Sequence, residues 1–235
     1  VILGSRPLGE ADRIAMLLTR EAGHVDAVVK GVRKTRSRWG GRLEPYNVCD
    51  LELVRGRSLA TVTGADVVAT FARLRADREG LAAAAIVCEA AARLFPEEEP
   101  HERAFGLTCR ALKTVDMGFA GTAIEAPLVL GAVVKLLHEA GFLPVLEHCA
   151  CCGGGGEAVA FSAQRGGLVC RECAGDGVAV GPDAVAALCD AVREPLATLR
   201  ERPPSPAVGE ALRHLHGLIV HQTGARLRSL RTVGG

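Results

Sequence analysis

Aromatic side chains are scarce in this 235-residue chain: one Trp, one Tyr and six Phe amount to 3%. A surface that gripped flat ligands mainly by ring stacking would need more of them, so charge and hydrogen bonding are left as the principal means of recognition. Long apolar runs are also missing. Glu125 and then Lys135 interrupt the most hydrophobic region, well short of the roughly eighteen consecutive apolar residues of a membrane helix. No secretory leader is visible, and a chain that opens on Val1 is expected to lack an initiating methionine or a short leader. The usual catalytic signatures are absent too. There is no G-x-x-x-x-G-K-[ST] loop, no H-E-x-x-H and no G-x-S-x-G, which removes the common anchors of an ATPase, a zinc protease and an elbow-type hydrolase. Zinc-deaminase chemistry wants H-x-E ahead of P-C-x-x-C, whereas His138 and Glu139 are adjacent and Val169 precedes the second cysteine pair. Gly153 to Gly156 follow a cysteine rather than a strand, so they read as a flexible loop and not as a phosphate cradle. No catalytic residue is assigned.

What the chain does have is a cysteine quartet. Cys149 and Cys152, then seventeen residues, then Cys170 and Cys173 give C-x2-C twice. Each such turn aims two sulfurs the same way, and two turns together supply the four thiolates of a closed tetrahedral zinc site. A redox pair is the competing reading. Gly153 and Gly175 stand where the backbone must curl round sulfur, which asks for positive φ. Cys151 is off the register and left over. A site with four protein ligands has no open position for hydrolysis, so this metal would fold protein and the function would lie elsewhere. The other cysteines, Cys49, Cys88, Cys109 and Cys189, are scattered, which fits a reducing cytoplasm better than a disulfide framework.

The formal net charge of +1 conceals an uneven distribution. Residues 1–80 carry 14 Lys and Arg against 10 Asp and Glu, and residues 81–148 carry 5 against 9. Four thiolates and a divalent ion would move the total to −1, so attraction to a polyanion must come from a local patch. One stands out. Lys30, Arg33, Lys34, Arg36, Arg38 and Arg42 fall within thirteen residues that contain no acid. A solvated loop and a phosphate-binding surface are the two readings of such a run, and its Gly-rich, mobile setting favours phosphate.

Strand signals flank that loop. Val25 to Lys30 is β-branched after the Ala22-Gly23 turn, and Cys49-Asp-Leu-Glu-Leu alternates with period two. Val54-Arg55-Gly56-Arg57 reads as a turn and Leu59 to Thr63 as the returning strand; with Val1 to Leu3 and Ile14 to Thr19 this makes five. The economical architecture is a small oligonucleotide-binding barrel over residues 1–80, closing its own edges. From residue 81 the pattern becomes helical. Helices are expected from Leu81 to Phe95, stopped by Pro96 before an acidic Glu97–Pro100 linker, and over His101–Val115, Pro127–Ala140 with Gly141 as its terminator, Pro182–Leu199 and Ala207–Leu230. The chain is thus read as a multidomain α+β protein, an N-terminal barrel followed by an α-helical domain over 81–235 that is interrupted by a zinc module at 149–175.

Ser5-Arg-Pro-Leu-Gly-Glu-Ala-Asp-Arg-Ile, Leu17-Leu-Thr-Arg-Glu-Ala-Gly, Lys30-Gly-Val-Arg-Lys, Leu43-Glu-Pro-Tyr and Glu52-Leu-Val-Arg-Gly-Arg-Ser-Leu together resemble the N-terminal domain of the RecO family of bacterial recombination mediators. Leu136-Leu-His-Glu-Ala-Gly-Phe-Leu-Pro-Val-Leu-Glu-His-Cys-Ala-Cys-Cys-Gly resembles the family's run into its cysteine cluster. The resemblance covers most of the chain and lies in the order and spacing of the segments rather than in one motif. It implies a non-enzymatic protein of DNA repair and recombination in the RecFOR pathway. Such a protein binds single- and double-stranded DNA, anneals complementary strands and helps load recombinase onto coated single strands. It also implies a bacterial cytoplasmic protein, nucleoid-associated during repair, with RecR and the acidic C-terminal tail of the single-stranded-DNA-binding protein as partners.

The residues expected to contact DNA are Lys30, Arg33, Lys34, Arg36, Arg38, Trp39 and Arg42, with Arg55 and Arg57 on a neighbouring turn. Trp39 is open to two readings, stacking on bases or packing on the barrel, and Tyr46 reads as core. Arg226, Arg228 and Arg231 either balance the dipole of the last helix or form the partner site for the acidic tail. His214, His216 and His221 do not share one helical face and are read as packed or solvated rather than as ligands. Two other classes of function stay open: a zinc-stabilised protein adaptor whose loop binds an acidic protein, and a metal-dependent enzyme with an unrecognised site.

Overall fold

The computed structural model describes residues 1–95, 99–175 and 177–232, with the side chains of Arg231 and Thr232 left out. The helix stop at Pro96 and the linker residues Glu97 and Glu98 lie outside the described residues. Strands β1 (Ile2–Leu8), β2 (Asp12–Thr19) and β3 (Gly23–Val29) form a meander; β4 (Val48–Val54) and β5 (Ala60–Ala69) follow the basic loop. The sheet order is β1-β2-β3-β5-β4, antiparallel except where β3 runs parallel to β5, with Ala27 opposite Ala60 and Val28 opposite Thr61. Period-two alternation sends Ile2, Leu17, Ala27, Val29 and Val62 to one buried face, where Leu43 joins them.

This is the strand order of an oligonucleotide-binding fold, but the expected closure is corrected. β1 and β4 share no ladder; the seam is held where the Ile2 N–H donates to the Asn47 carbonyl (2.9 Å) and the Tyr46 N–H donates to that of Ile2 (2.7 Å). Two features keep the edges apart. Val1 and Leu3 turn into the helical core beside Leu18 and Phe71, and register shifts at Val48/Cys49 and Glu52/Leu53 bend β4 along β5. Tyr46, at the seam, has φ of 74° and is half-buried against the helical core.

The helical part comprises α1 (Ala72–Ala76), α2 (Arg78–Leu94), α3 (Glu102–Asp116), α4 (Pro127–Glu139), α5 (Pro182–Arg193), α6 (Leu196–Glu201), α7 (Pro206–Thr223) and α8 (Ser229–Thr232). α4 is apolar nearly all round and is the central helix, buried from Pro127 to Val134 and again at Leu136 and Leu137. Its Gly131 lets α6 approach, since a Cβ there would stand 2.2 Å from the Leu199 Cδ1. Gly141 ends it at φ +80° as expected, with the Phe142 N–H returning to the Leu137 carbonyl. Two long helices of the sequence reading are each divided. Glu194 is extended ahead of Pro195, which separates α5 from α6; Gly224, left-handed at φ 68°, stops α7 before Leu230. Between α4 and α5 the chain forms β6 (Ala158–Ser162), β7 (Gly167–Cys170) and β8 (Val178–Ala179), a three-stranded sheet of order β7-β6-β8.

Candidate metal centre and cationic loop

The small sheet exists to place cysteines. Val145 docks beside the β6–β7 hairpin, its N–H donating to the Gly166 carbonyl and its carbonyl accepting from the Leu168 N–H, each at 2.9 Å. Gly167 is required at this approach, because a Cβ would fall 2.3 Å from the Val145 oxygen. The next turn is closed by the Cys149 N–H to the Gly154 carbonyl and the Gly153 N–H to the Cys149 carbonyl, both 2.9 Å, with Gly153 at φ +71°. Cys170 ends β7, Cys173 ends a 3-10 turn, and Gly175 has φ of +37°. Both glycines thus take the conformation the cysteine turns demanded.

The four sulfurs of Cys149, Cys152, Cys170 and Cys173 all lie within 4.8 Å of one another, and those of Cys152 and Cys170 are 4.0 Å apart. Four thiolates at the Zn–S distance of about 2.3 Å from one ion would be roughly 3.8 Å apart, so the set is matched to a tetrahedral metal. Cys149 is buried and Cys152 exposed, so the site lies at the surface with one sulfur held inward. The backbone N–H groups of Cys152 and then Cys170 point at the Cys149 sulfur and bring its thiol down to about 6, while the sulfur of Cys170 above all pushes the Cys173 thiol up. An all-sulfur donor set suits a soft or borderline ion. Cys151 is exposed and outside the quartet.

Only Cys149, Ala160 and Val169 form the module's own buried cluster. It is joined to the helical body by Phe161 and Leu168, and the Phe161 ring lies 5.3 Å from that of His214 on α7. Burial lowers the His214 pKa against the opposing pull of Glu210, whose Oε1 is 3.8 Å away. Neither the strands of the module nor this junction was expected from the sequence; the alternation in Ala158-Val-Ala-Phe-Ser was the available signal.

The basic loop leaves β3 and is pinned at several points. The Gly31 N–H donates to Asp12 Oδ1 (2.7 Å), the Arg33 N–H to the Ala11 carbonyl and the Arg33 Nη1 to the Gly9 carbonyl (both 3.0 Å). At its centre Trp39 is 3% exposed among Val29, Leu43 and Val62, and its Nε1–H donates to the Lys30 carbonyl at 2.9 Å. Of the two readings of Trp39, the burial supports packing on the sheet, where the ring anchors the loop. The Arg38 guanidinium covers that ring at 4.2 Å. Lys30, Arg33, Lys34, Arg36, Arg38 and Arg42 are all exposed, and among the described residues none of them is in a salt bridge.

Arg55 and Arg57 are exposed but are not brought to this loop. Because β5 runs parallel to β3, the turn that precedes β5 sits where β3 begins, whereas the basic loop leaves where β3 ends. The two arginines instead border a cleft of about 640 Å³ together with Glu21, Ala22 and His24. Arg226 and Arg228 are exposed on either side of the fully buried Leu227, beyond the end of α7. The side chain of Arg231 lies outside the described residues. A contact the sequence reading passed over joins the two halves: Arg20, after β2, lies 5.4 Å over the Phe105 ring on α3.

The fold and these sites define a two-part protein, an oligonucleotide-binding-type sheet with a cationic loop joined to a helical domain that carries a four-cysteine ribbon able to hold a metal. Residues 1–71 match the family described as Recombination protein O N terminal, and residues 75–231 match Recombination protein O C terminal. The chain is 44% identical over 197 residues to a protein named DNA repair protein RecO of Frankia casuarinae, covering 82% of this chain and 79% of that one. It is 37% identical to the protein of the same name from Rubrobacter xylanophilus, covering 100% of this chain and 94% of the relative. The chain belongs to the RecO family of DNA repair proteins. The described residues include no helix long and apolar enough to cross a membrane.

Proposed function

We propose that this protein binds single- and double-stranded DNA through the loop from Lys30 to Arg42, anneals complementary strands, and assists recombinase loading onto coated single strands. The observation that carries the proposal is the set of six exposed cations, none of them in a salt bridge among the described residues, held on a loop that Trp39 fixes to the sheet. Guanidinium and ammonium groups placed in this way neutralise phosphates and lower the repulsion between two backbones; annealing then requires no nucleotide hydrolysis and no catalytic side chain. Burial of the single tryptophan leaves phosphate contact as the dominant interaction, which implies weak sequence preference and steep salt dependence.

The quartet Cys149, Cys152, Cys170 and Cys173 would hold one structural zinc ion, which supplies folding energy to the ribbon. In this reading residues 1–80 are the DNA-binding domain and 81–235 the helical domain, with the module at 149–175. RecR is a partner, and the acidic tail of the single-stranded-DNA-binding protein docks beside Arg226, Arg228 and Arg231. The protein works in the bacterial cytoplasm, at the nucleoid during repair. The test is nucleotide-free annealing of complementary single strands by the intact protein and by a variant with Arg33, Lys34, Arg36, Arg38 and Arg42 all changed to Gln, with fold and metal content verified. Annealing lost in the variant, together with a reduced slope of log affinity against log salt, is the expected result. Equal annealing by both proteins would move the DNA site off the loop, and annealing by neither would sink the proposal.

A further inference from the structure

The two arms of the basic loop are fastened to different halves of the molecule. The leading arm, with Arg33 and Lys34, rests on the sheet through Gly9, Ala11 and Asp12. Beyond Trp39 the backbone of the trailing arm is held by the side chain of Asn47, which is only 2% exposed. The Asn47 Nδ2 donates to the carbonyls of Gly41 and Arg42, at 3.0 Å each, and the Arg42 Nη1 donates in turn to the Arg38 carbonyl at 3.2 Å. On the other side, the Asn47 Oδ1 accepts from the Arg75 Nη2 at 2.7 Å, and the same nitrogen donates to the Pro45 carbonyl at 2.5 Å. Arg75 lies on α1, which Leu74 fixes to the helical body: its side chain is buried in the helical core and its N–H donates to Asp116 Oδ1 on α3 at 2.8 Å.

The chemistry of this chain of contacts gives it a direction. Arginine has donors and no acceptor, so Arg75 demands the oxygen of the Asn47 amide and leaves both amide hydrogens to the two loop carbonyls. The Arg75 guanidinium is partly buried and among the described residues is in no salt bridge, so its charge-assisted bonds go to the neutral oxygens of Pro45 and Asn47. Those two residues flank Tyr46, the one non-glycine with positive φ among the described residues, at 74°. Such a conformation costs energy and persists where its surroundings over-determine it; Arg75 bonds the residue on either side.

We infer that Arg75 and Asn47 are positioning residues for DNA binding, through which the helical domain sets the placement of Arg38 and Arg42. Asn47 is too buried to touch a phosphate and acts through the arm it holds. The inference rests on the reading of the loop as the DNA site and deepens it, since only the trailing arm depends on the helical domain.

The test is the slope of log affinity against log salt for a single-stranded oligonucleotide, measured on the intact, metal-loaded protein. R38Q/R42Q should lower the slope by about 1.4, two phosphates at roughly 0.7 each on a single strand. N47A and R75A should each lower it by about 1, whereas R75K should restore it, because one nitrogen makes both Arg75 bonds and an ammonium group can replace it. In the R38Q/R42Q background neither N47A nor R75A should lower the slope further; in the R33Q/K34Q background each should lower it as much as in the unaltered protein. Metal content and thermal unfolding check the fold, and Arg75 is only partly buried, so R75A tests the pair should N47A not fold. Reduced thermal stability with an unaltered slope would leave the pair a structural role alone, and an equal drop in the R38Q/R42Q background would show that it does not act through the trailing arm; either result overturns the assignment. An unaltered slope in both R38Q/R42Q and R33Q/K34Q would instead sink the loop reading, and the assignment with it.

Discussion

The sheet domain and the cysteine ribbon are both small β structures, yet they are held by different means. The sheet has a buried apolar cluster of eight residues of its own, including Ile2, Leu17 and Trp39, and shares Val1, Leu3 and Leu18 with the helices. The ribbon's own cluster has three, Cys149, Ala160 and Val169, one of which belongs to the quartet that could hold a metal. Below a certain size apolar burial no longer offsets chain entropy, and a cross-link or a metal has to supply the difference. The contrast assigns stability to hydrophobic burial in one region and to ligation in the other, and each assignment can be attacked separately.

Removing the metal is expected to have the largest effect. C149S, or chelation of the intact protein, should abolish metal binding and remove amide exchange protection from Val159 to Val169, while Leu17 and Ala27 stay protected in hydrogen-exchange experiments. Protection lost equally in the sheet would mean that the two regions fold as one unit. Next comes W39A, which should cost about 3–5 kcal/mol in denaturant unfolding through the lost burial and the cavity left behind. It should also release the loop without changing the metal content. DNA affinity unchanged in W39A would show that the cations do not depend on the anchor.

The smallest effect lies at the junction between the regions. Burial lowers the pKa of His214 below its ordinary value of 6.5, so the unfolded chain takes up a proton before the folded one does. Stability is fully present above pH 6.5 and declines as the pH falls from there toward the lowered folded value. H214Q should flatten that part of the profile measured by thermal unfolding; an unchanged slope would assign the decline to other groups.

Much of the plan can be traced to local chemistry. The spacing of the four cysteines, the positive φ at Gly153 and Gly175, the terminator at Gly141 and the period-two strands are all set by covalent geometry, ligand reach and alternation. Where local signals competed, the sequence reading missed. Pro195 and Gly224 divide two stretches whose composition predicts one helix each, although both are conspicuous breakers in the sequence. The tryptophan within the basic run could be assigned to solvent or to core with equal ease, because a residue on a loop has no periodicity to fix its side.

The sequence by itself determined which groups could bind metal or phosphate, since charge, thiolate chemistry and short-range spacing are carried by the residues alone. Only the tertiary structure decided which of those groups act together. Parallel pairing of β3 with β5 sent Arg55 and Arg57 away from the basic loop, and the packing of α3 beside the open seam brought Phe105 under Arg20. Contacts between residues so far apart in the chain depend on how elements dock, and no local pattern in either segment records that.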